Sequence, residues 1–463
     1  MARAGAVRLM SGQTLTPGVG TEVLPVGTPE PPAKTFRFRD MFRDGATTFK
    51  FTAILGLQMG QVFPAAFFGL MLTAIYRKNG LPLDMFWVFT IPSIPTWIRP
   101  LWAPLVDGVG NARLGPRRTW FIPCTLFGAG AYLLLSNFAP TMEDLWIIIT
   151  ILTIKTTIMT TQDIAIDGYM VENLEDHERG VGAALMDIGR NVAMFGSWAG
   201  VAWVYQEWGW TAAVQTASAL LVLFSLPGIL RREPPPPPHA VAARARGERP
   251  SLLALWRRPD ARLAIPLIML AAFGSGLITQ MYVPFLVDKG FTVGEIGISI
   301  LAPATFLGTV LGATLTVGFL NRFGYRTTIF VAAFLMVPTV VPIMWMGQLE
   351  EPTLGIVFLV TLNGIFLPSF IQVAMAGARL KWASRSQAAT DYTTQIVAMS
   401  LASSAGLGIG GILAEHLGWF FYFMLAGCVV IGACFTVWLL FDRVEALVEA
   451  RDADELDRRD VTG

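Results

Sequence analysis

The chain has 463 residues, 54% of them hydrophobic and only 14% charged, with a mean hydropathy of +0.55. Soluble domains carry about 25% charged residues, so this composition needs the bilayer as solvent, with room for about a dozen spans of roughly 20 residues each. The 34 Lys+Arg and 33 Asp+Glu leave a net charge of +1, which excludes a nucleic-acid binder.

Cys124, Cys428 and Cys434 all fall in apolar runs without a CxxC pair, so they read as packing residues. His177, His239 and His416 are far apart and none belongs to an HExxH pattern. No metal site and no cofactor is expected. No Gly-Lys dipeptide occurs, so a Walker A loop is absent and an ATP-driven pump is excluded. Neither is a membrane enzyme expected, because no nucleophile–base pattern stands out. Nothing in the first 45 residues resembles a cleavable signal peptide.

Residues 1–33 are Pro-rich and read as a disordered tail, and the Phe/Arg mixture of 36–43 suits the membrane surface or the flank of a first span. Twelve apolar helices are predicted, at 50–76, 84–106, 119–138, 144–171, 180–205, 210–230, 261–287, 293–320, 327–347, 353–378, 387–413 and 418–441. A Pro/Arg-rich stretch at 231–260 cannot span a membrane and reads as a linker. The expected organisation is a tail (1–49), a six-helix half (50–230), the linker, a second six-helix half (261–441) and a tail (442–463).

Cations orient this array. Tails and even-to-odd loops hold 28 of the 34, among them Arg379, Lys381 and Arg385, whereas Arg77, Lys78 and Lys289 fall on the opposite face. Both termini are therefore expected to be cytoplasmic. The remaining three cations, Arg99, Lys155 and Arg190, lie inside predicted helices. The halves also echo each other. Gly115-Pro-Arg117 and Gly324-Tyr-Arg326 are 209 residues apart, as are Gly209-Trp210 and Gly418-Trp419. Duplicated six-helix units are a transporter design.

Helix 2 runs into Trp97-Ile-Arg-Pro-Leu-Trp-Ala-Pro-Leu-Val-Asp107, followed by Leu114-Gly-Pro-Arg117-Arg118. Helix 4 ends in Gln162-Asp-Ile-Ala-Ile-Asp167-Gly-Tyr, and helix 5 opens with Glu178-Arg-Gly-Val-Gly-Ala-Ala. Over residues 50–210 these stretches resemble the AmpG-like peptide/acetyl-coenzyme A transporter branch of the major facilitator superfamily. Departures are Pro116, where the branch has Arg, and Gly168-Tyr169, which is nearer to acetyl-coenzyme A carriers than to muropeptide permeases. The resemblance implies the major facilitator fold, an all-α membrane protein in two six-helix halves. It also implies a bacterial inner-membrane location and no enzymatic activity. By the same resemblance Asp107, Arg117, Arg118, Arg322 and Arg326 act as a cytoplasmic gate, with Asp391 at the inner end of helix 11 a further latch. Helices 5 and 8 would meet between the halves, with Gly196/Gly200, Gly308/Gly312 and Gly406/Gly410 allowing close packing.

The ionisable residues carry the chemistry. Arg99, Lys155, Arg190, Asp163, Asp167 and Asp187, left unpaired in hydrocarbon, would cost on the order of 15–20 kcal/mol. That exceeds the usual stability of about 5–15 kcal/mol, so they must face one another or water. Asp163 and Asp167 are four apart on helix 4, and carboxylates that close can exchange a proton near neutral pH, or else neutralise Arg99 and Arg190 in a static gate. Asp187 and Arg190, three apart, are expected to pair. Lys155 has no carboxylate one turn away and sits near the midplane, a natural contact for an anionic solute. Arg99 is a second such contact. Gln58, Gln61, Gln162, Gln280, Asn363, Gln372 and Gln395 are further candidates to line the path, with Tyr282 beside them; each may equally bond a neighbouring helix.

The expected function is secondary active transport by alternating access, with protons driving import of a medium-sized anionic solute such as a muropeptide. A siderophore or acyl-coenzyme A type solute is the alternative, and a non-transporting membrane scaffold the alternative of another class. The expected partners are the solute, protons and lipid, and the expected state is a monomer.

Overall fold

The computed structural model describes residues 38–111, 114–174, 178–233, 252–384 and 388–462. The tail at 1–33, most of the 231–260 linker and the side chains of Asp107 and Asp187 lie outside the described residues. Those described are almost wholly helical, with one isolated bridge between Asn111 and Gly115.

Helix α1 covers Gly45–Lys78. Asp44 caps it, accepting from the Thr47 amide at 2.8 Å, and that bond holds the carboxyl below its usual range. At the far end Gly80 takes φ 88°, and the Leu81 amide reaches back to the Tyr76 carbonyl at 3.0 Å. This six-to-one closure is the glycine-dependent helix stop. The next segment was expected as one helix, 84–106. It is instead a 3-10 helix (Leu83–Ser93), α2 (Ile94–Ile98), a 3-10 turn (Arg99–Leu101) and α3 (Ala103–Gly108). Pro92, Pro95, Pro100 and Pro104 explain the breaks, since each lacks a donor and clashes with the preceding turn.

Helices α4 (Arg118–Leu135), α5 (Leu145–Asn173) and α6 (Arg179–Gly196) follow. A π turn at Ser197–Val201 joins α6 to α7 (Ala202–Leu230). Beyond α8 (Leu252–Arg257) come α9 (Pro259–Asp288), a π turn at Glu295–Leu301 and α10 (Ala302–Gln348). The last helices are α11 (Leu354–Phe366), α12 (Ser369–Trp382) and α13 (Ala388–Thr462). Three of these runs are broken inside by glycine: Gly209 in α7 (φ 81°, ψ −173°), Gly324 in α10 (φ 77°, ψ 173°) and Gly418 in α13 (φ 72°, ψ 162°). Only glycine adopts that region readily. With Gly80, Gly115 and Gly290, the six positive-φ glycines pair at separations of 210, 209 and 209 residues.

Seven helical runs among the described residues are long and apolar enough to cross a membrane. The surface of the bundle carries large apolar side chains such as Leu101, Phe127, Leu230 and Leu359, all more than 60% exposed. Lipid is the solvent that suits such a surface. The main core joins Phe67, Phe68 and Tyr132 to Phe285, Tyr422 and Phe423, linking early and late parts of the chain.

Candidate functional site

A cavity of about 660 Å³ opens between α1, the Leu83–Ser93 segment and α5 on one side and α9, α12 and α13 on the other. It falls within the range that holds drug-sized solutes. Lys155, Gln280, Gln372 and Arg379 line it, together with Ser and Thr hydroxyls and apolar side chains. No Asp or Glu does.

Lys155 reaches this place because α5 hides its own polarity. Thr150, Thr153, Thr157 and Thr161 each donate to the carbonyl four residues back, at 2.7–2.9 Å. The lysine is 8% exposed, makes no ion pair among the described residues, and lies 5.5 Å from the centre of the Tyr132 ring. That ring face offers attraction without a counter-charge.

Two turns further along α5 the carboxylates form a separate group. Arg99 Nη1 meets Asp163 Oδ2 at 2.6 Å. The 3-10 turn started at Arg99-Pro100 sets the arginine against α5. With its nitrogen toward the carboxylate, the Gln61 amide donates to Asp163 Oδ1 at 3.0 Å and accepts from the Asp163 amide at 3.2 Å. Asp167 feels the charges of Asp163, Arg99 and Arg190. Arg99 and Asp163 are thus bound to each other, and Arg99 does not line the cavity.

Other candidates are dispersed. Gln162 is buried and donates to Thr125 Oγ1 at 2.6 Å. Asn363 donates to the Pro338 carbonyl at 2.7 Å, and the Tyr282 hydroxyl pairs with Thr361 Oγ1 at 2.7 Å; both are helix-to-helix ties. Gln58 and Gln395 are buried away from the cavity lining.

The residues expected at the gate make local ties. The Arg117 and Arg118 amides donate to Glu233 at 3.0 and 3.1 Å, and Arg118 Nη2 donates to the Ile229 carbonyl at 2.6 Å. A β-carbon on Gly168 would lie 2.3 Å from Arg117 Cζ, so this glycine makes room for the guanidinium. Arg326 pairs with Asp442 at 2.7 Å on the surface, and Arg322 lies over the Phe323 ring. Buried Asp391 accepts from Arg258 Nη1 at 2.7 Å and from the Ser384 amide at 2.9 Å. Arg258 also meets Asp260, which in turn meets Arg451 at 2.6 Å.

Helices 5 and 8 do approach, but Gly297 makes the contact. Its β-carbon would sit 2.3 Å from the Trp198 carbonyl oxygen. Gly308 and Gly312 instead abut Ile365 and Ser369, Gly196 abuts Phe63, and Gly200 has open space.

The family model of the Major Facilitator Superfamily matches residues 54–366 and again 268–461. The chain belongs to the Major Facilitator Superfamily. Within this family of transporters it is AmpG-like. The Anhydromuropeptide permease of Escherichia coli (strain K12) is 25% identical over 262 residues, covering 56% of this chain and 52% of the relative. The chain therefore spans about half the length of that curated relative. The Putative transporter AmpG 4 of Rickettsia conorii is 20% identical over 407 residues, covering 84% of this chain and 96% of the relative. Among solved structures, a bacterial homologue of the human lysosomal transporter Spinster aligns with a TM-score of 0.60 at 12% identity, over 88% of this chain and 97% of that one. A POT family transporter in complex with 5-aminolevulinic acid aligns with a TM-score of 0.63 at 12% identity, over 85% and 96%. These two likenesses show the shared superfamily fold.

Sequence reasoning missed two features of this superfamily member. Arg379 was assigned to a loop, yet α12 continues to Trp382 and buries it on the cavity wall. At the end of the bundle remote from Lys50, Arg77 and Asp288 form a two-pronged bridge at 2.6 and 2.8 Å, to which Trp419 Nε1 adds a bond at 2.9 Å. Arg379 stands beside Lys381 in a basic flank, and Arg77 and Asp288 are 211 residues apart, so neither carried a local signal.

Proposed function

We propose that the chain is a secondary active transporter of twelve spans in two six-helix halves, importing a medium-sized anionic solute of the muropeptide type with protons. The twelve-span reading treats Gly209, Gly324 and Gly418 as turns between paired helices, in runs of 43, 54 and 64 residues that exceed one crossing, and adds the broken segment at 83–108 and α4 as two further spans. The proposed topology puts both termini in the cytoplasm of a bacterial inner-membrane protein. Functionally, Lys155 and Gln280 would hold the solute, Asp163 and Asp167 would carry the proton, and Asp107, Arg117, Arg118, Arg322, Arg326 and Asp391 would brace the inner gate.

One observation carries this reading. A cavity lined by cations, with no carboxylate among the described residues, shares α5 with a separate carboxylate pair. An anion fits the first, a proton fits the second, and one rigid helix joins them. The Arg77–Asp288 bridge supports alternating access, because it ties the two proposed halves at the end that the topology makes external.

The test is uptake into proteoliposomes of a solute panel (muropeptides, siderophores, peptides, acetyl-coenzyme A), with and without a pH gradient. Gradient-stimulated uptake of a muropeptide that Lys155→Ala abolishes is the expected result. Uptake of none of the panel, or full uptake by Lys155→Ala, sinks the reading.

A further inference from the structure

Arg379 is a buried charge without an ion pair among the described residues. It is 9% exposed, on the last turn of α12, and lines the same cavity as Lys155. Its Nε has no partner, and its Nη1 touches only the Met399 sulfur, at 2.6 Å. A thioether is a weak acceptor with no counter-charge. Among the described residues neither cation is ion-paired, and they stand on α5 and α12, one in each proposed half. Two other arginines with little exposure are answered: Arg99 by Asp163, Arg451 by Asp260.

A buried cation without a partner is expensive, and an apolar side chain in its place removes that desolvation cost. Two such cations in one cavity mean that the missing charge comes with the ligand. A solute with one anionic group answers only one of them. The neutral polar lining, Gln280, Gln372, Thr156 and Ser403, orients a ligand but supplies no charge. The two cations also differ in kind. Lys155 is a compact point charge, whereas Arg379 presents a planar fork that matches a carboxylate in two-pronged fashion.

We propose that Arg379 and Lys155 form a two-point clamp that selects solutes carrying two separated anionic groups, one taken from each half. This rests on reading the cavity as the solute site. A doubly charged solute bridges α5 and α12 and offsets both unpaired charges at once. Loading with the correct solute then draws the halves together, and a singly charged analogue does so poorly.

The test uses the full chain in nanodiscs and two probe pairs. One pair is a muropeptide with two free peptide carboxylates and the same compound with one carboxylate amidated. The other is alanyl-glutamate and alanyl-glutamine. The wild-type chain should prefer the two-carboxylate member by at least roughly tenfold in Kd, the scale of one charge-assisted contact. Arg379→Met should bring that ratio close to one, and Arg379→Lys should recover part of it. Without ligand, Arg379→Met should raise Tm, an effect that a purely structural arginine would not give. An unchanged ratio in Arg379→Met, or a lowered Tm, overturns the clamp. If only the dipeptide pair binds and shows the Arg379-dependent preference, the muropeptide assignment falls and the clamp stands. If no carboxylate probe binds the wild-type chain, both fall.

Discussion

Asp163 and Asp167 sit one turn apart on α5, yet their surroundings make them unequal. Asp163 is engaged by Arg99 at 2.6 Å and by the Gln61 amide at 3.0 Å. Replacing it strands the buried Arg99 guanidinium, and because the Asp163 side chain is 33% exposed the cost falls below the roughly 3–5 kcal/mol of a fully buried pair. Asp163→Asn is thus expected to lower Tm as well as uptake. Asp167 has no such direct bridge to Arg99, and more than a third of its surface is exposed. Asp167→Asn should keep the wild-type Tm and lose pH-driven accumulation, read as uptake with and without a gradient. Undiminished gradient-driven uptake in both variants would remove the pair from proton coupling. These residues were legible from sequence because a charge in an apolar run has few cheap places to go. Arg379 was not, because Lys381 and Arg385 beside it imitate an ordinary basic flank.

Each glycine break can be tested against its neighbours. At Gly209, Gly324 and Gly418 a side chain would meet open space, so the objection to alanine is purely conformational. The strain of that backbone region is about 1–3 kcal/mol for a non-glycine residue. Gly209→Ala and Gly418→Ala should each lower stability by that amount, measured by thermal unfolding in detergent. Gly200→Ala, inside the π turn at Ser197–Val201 but without a positive φ and with equally open space, should hold or raise stability, since alanine favours a helical backbone over glycine by about 1 kcal/mol. Equal losses at all three sites would contradict the conformational account. The 209-residue repeat of these glycines was readable in the sequence, whereas the proline-broken second segment was taken as one helix because apolar content outweighed its prolines. The last helix also runs on to Thr462, beyond the 441 expected. Its polar end reads as a tail in isolation. In the fold it is held by partners far away in sequence: Arg451 meets Asp260, and Glu445 accepts from the Trp382 indole at 2.9 Å.

At the scale of the whole molecule, the two ends of the bundle are fastened differently. On the end carrying Lys50, two sets of ion pairs among the described residues each stay within one proposed half. Lys50 meets Glu178 at 2.6 Å, and the Arg258–Asp260–Asp391–Arg451 network lies entirely late in the chain. On the opposite end, Arg77 of α1 crosses to Asp288 of α9, and the Leu83 amide donates to Glu415 at 3.1 Å. The neighbouring Lys289 is committed elsewhere, to the Gly347 carbonyl at 2.8 Å and to that of Leu349, so it does not compete for Asp288. Both bridge residues are 22% exposed, and a pair of that kind contributes about 1 kcal/mol. That is enough to shift a two-state equilibrium roughly fivefold. Arg77→Ala should therefore raise the population open at this end. In a background with Cys124, Cys428 and Cys434 replaced, Thr279→Cys on the cavity wall reports it through labelling by a membrane-impermeant maleimide added from outside. Labelling should accelerate in Arg77→Ala and return toward wild type when Arg77→Asp is combined with Asp288→Arg. If Arg77→Ala labels no faster, the bridge is a surface pair without a gating role, and closure of this end rests on the remaining contacts between the proposed halves, the Leu83–Glu415 bond among them.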